Sequence, residues 1–339
     1  MARNADSAVL VAIDCLDGIA TGSSPLVIGD EGGTLVQALH ARGIEATTWH
    51  RRYVQQQPGS PWPQAGKTGN LSYTSALLRL PKAKDALDFA LHAAASVTAA
   101  GATLVLFGAN EEGVRSAATR FAVVVDQVAT LATRRHCRVM AGPRRSVIAG
   151  LKDSVSAWRS ERDIAILGLR RTWVGYPGVF ARGGLDEGTA LLIANLPRLT
   201  PRTRVLDFAG GTGVIAAAVM QATPGIAIDL IEIDALALES ARANVPGARC
   251  IAGDALSAAG HARYDVILAN PPVHEGLADD LGVLSALIAK APHHLNRGGE
   301  LRIVLQRRIS ATAMMQAAFG EVHAIATNGG FQVISGKRI

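Results

Sequence analysis

A short glycine-rich segment directly after an apolar run constrains this chain more than any other feature. Residues 204–208 are predicted to form a strand, residues 209–213 are Ala-Gly-Gly-Thr-Gly, and residues 214–222 are predicted to form a helix. Glycines in such a loop let the backbone approach a ligand closely, and the following helix offers free N–H groups. The pattern is typical of a doubly wound sheet that binds a nucleotide-like ligand beyond its strand ends.

Strands and helices alternate through the rest of the second half. The further predicted strands are 227–233, 249–252, 264–269, 300–306, 322–327 and 331–335, and the further helices are 235–244 and 282–294. Alternation of this kind predicts an α/β fold with a mostly parallel sheet covered on both faces.

The first half repeats this plan without its polar groups. Residues 25–33 form a predicted strand that enters a glycine loop, and residues 101–106 correspond to 299–304. Residues 77–82 correspond to 268–272, with Leu80 in place of an asparagine. We therefore predict two copies of one fold, the first degenerate, with a basic connector at about 154–172. The predicted domains are 1–165 and 166–339.

Composition limits the class of protein. A chain of 339 residues suits two domains, and no apolar run is long enough to span a bilayer. The three cysteines are far apart and lack metal-ligand spacing, so we expect free thiols, no metal and a cytoplasmic location. The net charge of +6 is mild. Arginines nevertheless cluster at 134–138, 144–145, 170–171 and 307–308, which suits binding to a phosphate backbone. Solvated surface charge is the alternative interpretation of each cluster.

Carboxylates at successive strand ends indicate which ligand the loop binds. Asp207 would repel a pyrophosphate but suits the ammonium group of a methionine moiety, which favours S-adenosylmethionine over a dinucleotide. Glu232, or Asp234 as the second choice, ends the next strand and can accept from both ribose hydroxyls. Asp254 follows the third strand and can accept from an adenine amino group, or alternatively cap a helix.

An Asn-Pro-Pro sequence follows the strand at 264–269. Asn270 offers an amide oxygen, and Pro272 biases Pro271 toward an extended conformation that directs its carbonyl. Two acceptors can then hold a planar exocyclic amine toward a methyl donor, so catalysis would be mostly positioning and electrostatics. A surface turn is the alternative interpretation. His274 could take the departing proton, but we expect it to be structural.

At this point the chain resembles the bacterial ribosomal RNA guanine-N2 methyltransferases, especially those of the small subunit. The matching segments are 178–188, 205–207, 270–276 and 294–304, with 81–82 and 113–116 in the first half. The resemblance implies two tandem Rossmann-like class I methyltransferase domains with mostly parallel seven-stranded sheets. In that family the N-terminal copy is inert, and the C-terminal copy is active.

The resemblance also extends the set of expected site residues. In that family the Gly-Val-Phe segment, here 178–180, closes over the methionine end of the cofactor. The resemblance therefore implies that Phe180 and Asp186 contact the cofactor; their alternative roles are a packed aromatic and a helix N-cap. The expected catalytic residues are Asn270, Pro271 and Pro272. The expected cofactor contacts are Phe180, Asp186, Asp207, Ala209, Gly211, Gly213, Glu232, Asp254 and Asn270.

Two residues depart from the family pattern. Ala209 stands where the loop usually begins with glycine, and it is tolerated if its φ is negative. Val273 stands where phenylalanine usually follows Asn-Pro-Pro, so base stacking worth roughly 1–3 kcal/mol is lost there. Phe331 is a candidate to replace that aromatic.

The resulting prediction is S-adenosylmethionine-dependent methylation of a guanine N2 in ribosomal RNA, with 16S rRNA of the small subunit as the predicted target. The target base must leave its stack to reach the methyl donor. The expected partner is ribosomal RNA or the small ribosomal subunit, with no membrane, no metal and a monomeric chain. Three alternatives stay open: a large-subunit guanine-N2 enzyme, a methyltransferase for protein amides or small amines, and a non-catalytic RNA-binding assembly factor.

Overall fold

The computed structural model describes residues 6–54, 58–64, 73–179, 184–271 and 278–339, apart from the side chains of 278–280. Phe180, Pro272, Val273 and His274 therefore lie outside the described residues. The chain divides into two compact units, with the main boundary after Arg159. No helix in the described part of the chain has the length and apolarity needed to cross a membrane.

The first unit is a six-stranded sheet flanked by helices. Its order is β2-β1-β3-β4-β6-β5, and only β6 runs opposite to the other strands, so that it is antiparallel to both of its neighbours. The elements are α1 (Ser7–Asp14), β1 (Pro25–Ile28), α2 (Thr34–His40), β2 (Thr47–Trp49), β3 (Tyr73–Arg79), α3 (Lys84–Ser96), β4 (Thr98–Ala109), α4 (Val114–Phe121), β5 (Ala129–Arg134) and β6 (Cys137–Pro143).

The second unit has a seven-stranded sheet and a separate hairpin. Its elements are β7 (Ser160–Ile166), β8 (Leu169–Gly175), α5 (Glu187–Ala194), β9 (Arg204–Phe208), α6 (Val214–Ala222), β10 (Ala227–Glu232), α7 (Ala235–Asn244), β11 (Arg249–Ala252), β12 (Tyr264–Ala269), α8 (Ala278–His294), β13 (Leu295–Gln306), α9 (Thr312–Phe319), β14 (Glu321–Thr327) and β15 (Phe331–Lys337). The sheet order is β11-β10-β9-β12-β13-β15-β14, with only β15 antiparallel to its neighbours. The predicted α/β fold with two Rossmann-like domains is confirmed; the described part of the first sheet has six strands, where seven were expected.

Both faces of the second sheet are buried, as the apolar runs predicted. Val205 and Leu268 belong to one hydrophobic cluster, while Leu206 and Ile267 belong to the other. Neighbouring residues of one strand thus face opposite layers, which is the two-residue period of a strand. The sheet is therefore covered on both faces, and the ends of its strands carry the candidate site.

The segment predicted as a connector is a β-hairpin. β7 and β8 pair along their whole length, and Ile164, Ile166 and Trp173 are buried in the core of the second unit. Alternation of these apolar residues with polar ones is the strand signal that the arginine-rich composition of the segment obscured. The sequence-based boundary at 165/166 would divide β7, whereas the hairpin as a whole lies in the second unit.

The structure also corrects how the two halves correspond. Gly101 and Gly298 both have positive φ (78° and 73°), and they donate to the carbonyls of Arg144 and Arg338, respectively. Gly101 is therefore equivalent to Gly298, one residue before the predicted partner Gly299. A shift by one matters because it exchanges the two faces of a strand.

A second one-residue shift, in the opposite direction, changes which residue replaces Asn270 in the first unit. β3 and β12 each pair with the strand that precedes the glycine loop, and the last paired residues are Leu78 and Ala269. The residues that follow, Arg79 and Asn270, are thus equivalent. The predicted replacement by Leu80 is wrong by one position.

Candidate active site

Three polar side chains meet at the carboxyl edge of the second sheet. Asp207 lies near the end of β9, Glu232 is the last residue of β10, and Asn270 directly follows β12. The order β10-β9-β12 makes these strands neighbours, and all three run parallel. The structure thus brings together residues that the sequence predicted to share one site.

Asp207 is fully buried, and only one of its two side-chain oxygens accepts a hydrogen bond. Its Oδ2 accepts from the N–H of Ala216 at 3.1 Å, while its Oδ1 has no hydrogen-bond partner. Burial is the main reason that the pKa of Asp207 is raised to about 8. A buried oxygen without a donor is unfavourable, so this position favours a ligand that brings a donor or a positive charge.

Glu232 holds the glycine loop in place. Its Oε2 accepts from the N–H of Gly211 at 2.8 Å, and its Oε1 accepts from the N–H groups of Ile233 and Asp234 at 2.8 and 2.9 Å. Burial raises the pKa of this carboxyl, although the backbone donors oppose the shift. Asp234 instead caps α7 by accepting from the N–H of Leu236, which separates it from the role considered for Glu232.

The loop backbone adopts left-handed conformations at three positions. Gly211 and Gly213 have φ of 55° and 90°, and Ala209 has φ of 56°. The condition for tolerating Ala209, a negative φ, is therefore not met; a non-glycine residue there costs roughly 1–2 kcal/mol. At Gly210 the space is closed as well, since an added Cβ would lie 2.5 Å from Leu230 Cγ. The loop geometry is thus set by both torsion and packing.

A clamp from the hairpin and α7 fixes the far side of the loop. Trp173 Nε1 donates to Thr212 Oγ1 at 3.0 Å, and Asn244 Nδ2 donates to the Thr212 carbonyl at 3.1 Å. Asn244 also exchanges hydrogen bonds with the backbone of Val174 in β8. Sequence reasoning missed both residues, because nothing in their spacing relates the hairpin to the loop.

Asp254 lies beyond β11 with its side chain exposed. The short 3-10 helix that follows, Leu256–Ala259, begins after Ala255 and has no side-chain cap. Asp254 therefore does not act as that helix's cap, and its carboxylate makes no hydrogen bond to the described residues.

Asn270 is tied to the start of α5. Its Nδ2 donates to Thr189 Oγ1 at 2.9 Å and lies 3.3 and 3.4 Å from the two carboxylate oxygens of Asp186. Asp186 is the N-cap of α5 and accepts from the N–H groups of Gly188 and Thr189. The Asn270 oxygen accepts no hydrogen bond from the described part of the chain. Pro271, the next residue, is buried.

Phe331 packs beside this cap. A Cβ added at Gly188 would lie 3.0 Å from the Phe331 ring and 3.1 Å from Asp186 Oδ1. Gly188 therefore allows the half-buried ring to lie close to the residues that hold Asn270. The first residue after β13, Arg307, is exposed, and its N–H donates to the carbonyl of Gly330 in the turn before Phe331.

The predicted basic clusters differ in how available they are. Arg144 and Arg145 donate to backbone carbonyls of their own unit and serve to hold loops and helix ends together. Arg134 and Arg135 are exposed at the turn between β5 and β6. Together with Arg307, these exposed residues suit a polyanion better than the Arg144–Arg145 pair does.

Comparison with known proteins finds methyltransferase matches in both units of the chain. A family model for the methyltransferase small domain matches residues 170–335, and one for its N-terminal domain matches 20–151. The ribosomal RNA small subunit methyltransferase C of Shewanella piezotolerans is 31% identical, with 92% of this chain and 93% of that protein covered. The Pseudomonas fluorescens protein of that name is 34% identical over 79% of this chain and 80% of its own.

The chain belongs to the ribosomal RNA small subunit methyltransferase C family. The predicted small-subunit family is thereby confirmed.

A solved structure supports the fold of this family member. The T. thermophilus 16S rRNA N2 methyltransferase, in complex with AdoMet and guanosine, superposes with a TM-score of 0.77 at 22% identity. It covers 97% of this chain, and 92% of that chain is covered. Among the described residues, no group of three or more His, Cys, Asp or Glu side chains is placed to hold a metal ion.

Proposed function

We propose that this chain transfers a methyl group from S-adenosylmethionine to the exocyclic N2 of a guanine in 16S rRNA. The observation that carries the proposal is the hydrogen bonding of the Asn270 side-chain amide. Its nitrogen is occupied by Thr189 and Asp186, and its oxygen is left to accept from a substrate amine. With the Pro271 carbonyl as a second acceptor, both hydrogens of an exocyclic amine are held, and the amine is oriented for transfer.

The residues of the loop fit S-adenosylmethionine. The unpaired, buried Oδ1 of Asp207 suits a ligand ammonium group, and Glu232 Oε2 has one donor and room to accept from a ribose hydroxyl. At Gly211 an added Cβ would meet no atom within 4 Å, so the loop leaves open space there. The exposed carboxylate of Asp254 is free to accept from an adenine amino group. When bound, S-adenosylmethionine supplies the methyl group and leaves as a neutral thioether that needs no acid.

RNA as the substrate accounts for the exposed arginines. Guanine N2 is reached only when the base leaves its stack. We assign contact with the RNA backbone beside that base to Arg307 of the second unit, and a separate role in RNA binding and support to the first unit with its exposed Arg134 and Arg135. Each unit has its own hydrophobic core within this one chain. We propose that the enzyme acts as a monomer. Ribosomal RNA as the substrate implies action in the cytoplasm.

The test is methyl transfer from labelled S-adenosylmethionine to 30S subunits, 50S subunits and free rRNA from cells that lack this protein. We expect N2-methylguanosine in 16S rRNA, identified by mass spectrometry of the nucleosides, with activity that falls steeply as salt rises. Label in the 50S subunit alone would identify a large-subunit enzyme. Cofactor binding without any RNA label, and with salt-insensitive transfer to an amide, would overturn the proposal.

A further inference from the structure

The hydroxyl of Thr189 fixes the direction of a short hydrogen-bond chain. A hydroxyl has one hydrogen to donate. Thr189 Oγ1 donates it to Asp186 Oδ2 at 2.6 Å, because a carboxylate oxygen can only accept. Toward Asn270, 2.9 Å away, Thr189 can then only accept, so the group of Asn270 that faces it must be the NH2.

Asp186 reinforces this direction. Both of its oxygens lie within 3.4 Å of Asn270 Nδ2, and neither can donate to an amide oxygen. The two ends of a side-chain amide are nearly indistinguishable by shape, so only such partners decide which end points where. Here every partner selects the same orientation.

We propose that Asp186 and Thr189 are positioning residues, which hold the Asn270 amide so that its oxygen, and not its NH2, faces the substrate amine. The inference rests on the proposed function of Asn270. A flipped amide would set its donors against the donors of the amine, and the acceptor would be lost. The pair therefore acts through Asn270 and does not touch the substrate.

The first unit supplies a natural comparison for this arrangement. Asp6 caps α1, accepting from the N–H of Ala8 at 2.8 Å, and Arg79 Nε donates to its Oδ2 at 2.7 Å. The tie from a helix cap to the strand end is thus common to both units. The hydroxyl is not: three residues after Asp6, in the place of Thr189, stands the buried Val9. The contact between the helix N-cap and the residue after the strand is therefore a property of the fold. Thr189, found only in the second unit, selects the orientation of the Asn270 amide.

The helix that carries this pair is held at both ends. At its C-terminal end, Arg302 donates to the carbonyl of Asn195 and forms a buried ion pair with Glu300 at 2.6 Å. At its N-terminal end, the Phe331 ring lies against Gly188. Asp186 and Thr189 are therefore fixed relative to the sheet, as a positioning role requires.

Substituting Asp186 by Asn gives the sharpest test. Asparagine caps helices as well as aspartate does, so α5 should persist. Its Nδ2 would donate to Thr189, whose hydroxyl would turn its hydrogen toward Asn270 and capture the amide oxygen. We expect kcat to fall roughly 10- to 100-fold, with KM for 30S subunits within about twofold of wild type.

Thr189→Val removes the hydroxyl at nearly constant volume and introduces the residue that the first unit already carries. We expect a loss of kcat that is smaller than that of Asp186→Asn. Thr189→Ser is the matched control and should restore turnover, because it returns the hydroxyl. Wild-type kcat in Asp186→Asn and in Thr189→Val, measured where the wild type methylates 30S subunits, would overturn the inference.

A second readout needs no activity. The side-chain amide protons of Asn270, assigned by NMR from their absence in Asn270→Ala, should shift in Asp186→Asn and Thr189→Val and stay in place in Thr189→Ser. Unchanged amide signals in both variants would overturn the inference. If the wild type methylates no RNA while these shifts occur, the proposed function fails and the orientation of Asn270 stands.

Discussion

The two units share a backbone and differ in their chemistry. β2-β1-β3-β4-β6-β5 of the first sheet corresponds to β10-β9-β12-β13-β15-β14 of the second. Both glycine loops turn through positive φ at the same two places, Gly29 and Gly33 in the first unit and Ala209 and Gly213 in the second. The left-handed conformation at these two positions is therefore a property of the fold.

What the first unit has lost is a set of hydrogen-bond acceptors. By strand register, Val27 stands in the place of Asp207, and His50 in the place of Glu232. Arg79 replaces Asn270 and is held by a bidentate ion pair with Glu112 at 2.7 Å. None of these three side chains carries the carboxylate or amide oxygen that stands at its position in the second unit. A cation, ribose hydroxyls and an amine need acceptors, so the difference separates what the fold requires from what the reaction requires.

Removing the acceptor of the transfer site should have the largest effect. Asn270→Ala should lower kcat by roughly 100-fold or more, since one positioned group contributes that much in comparable sites. Cofactor affinity, measured by calorimetry, should change little because Asp207 and Glu232 are intact. Turnover near the wild-type value would remove Asn270 from the mechanism and, with it, the contrast with Arg79.

Asp207→Asn should weaken binding of S-adenosylmethionine by roughly 10- to 100-fold, the usual range for losing a hydrogen bond to a charged group. Because the pKa of Asp207 is raised to about 8, wild-type affinity should rise as pH increases toward that value and the carboxyl ionises. In Asp207→Asn this rise should be absent. Equal pH dependence in both proteins would show that another group binds the ammonium.

The same carboxyl predicts how the stability of the cofactor-free chain varies with pH. An unfolded aspartate has a pKa near 4, so between about pH 4 and pH 8 the folded chain keeps a proton that the unfolded chain has released. The stabilisation is complete below about pH 4 and is lost as pH rises through about 8. Urea unfolding should show the free energy of unfolding declining over this range, and less steeply in Asp207→Asn. Burial raises the pKa of Glu232 too, so some slope should persist.

Phe331 is the candidate to replace the aromatic residue that Val273 lacks, and substitutions at Phe331 test this role. By register its equivalent in the first unit is Cys137, which is buried and has no ring. Phe331→Leu should raise KM for 30S subunits roughly 5- to 100-fold if the ring stacks on the target base, and Phe331→Tyr should retain most of the wild-type value. An unchanged KM in Phe331→Leu would leave the ring with a packing role against Gly188.

The smallest effect concerns the loop backbone. Ala209→Gly should stabilise the chain by about 0.5–1 kcal/mol, since glycine adopts φ of 56° without strain but has more entropy to lose on folding. The reciprocal change in the first unit, Gly29→Ala, should destabilise it by a similar amount, because Gly29 has φ of 79°. Both are read from denaturant unfolding. If Ala209→Gly lowered the free energy of unfolding, the inference that Ala209 is strained would be wrong.

Sequence reasoning placed most elements of the second unit, because strands buried on both faces are continuous apolar runs and glycine marks where they turn. β9, β11 and β12 and the helices α6 and α7 have the predicted bounds. The grouping of Asp207, Glu232 and Asn270 was also predictable, since parallel strands bring their ends to one edge.

Contacts between elements far apart in sequence were not predictable. The tie from Asn270 to Thr189 spans 81 residues, and no periodicity relates the two. The sign of φ at Ala209 was also not predictable. A loop's torsions depend on its packing against other elements, such as the contact of Gly210 with Leu230 of β10. The exchange of Leu80 for Arg79 arose from a one-residue shift that only strand register resolves.

The hydrogen bond from Trp173 to the glycine loop also allows the second unit to be followed separately by tryptophan fluorescence. Of the four tryptophans in the chain, Trp49, Trp62 and Trp158 lie in the first unit. Trp173 is the one in the second, buried, with its indole N–H bound to the loop residue Thr212. A chain with the other three changed to phenylalanine would emit from this indole alone, and its fluorescence would report directly on the state of the loop.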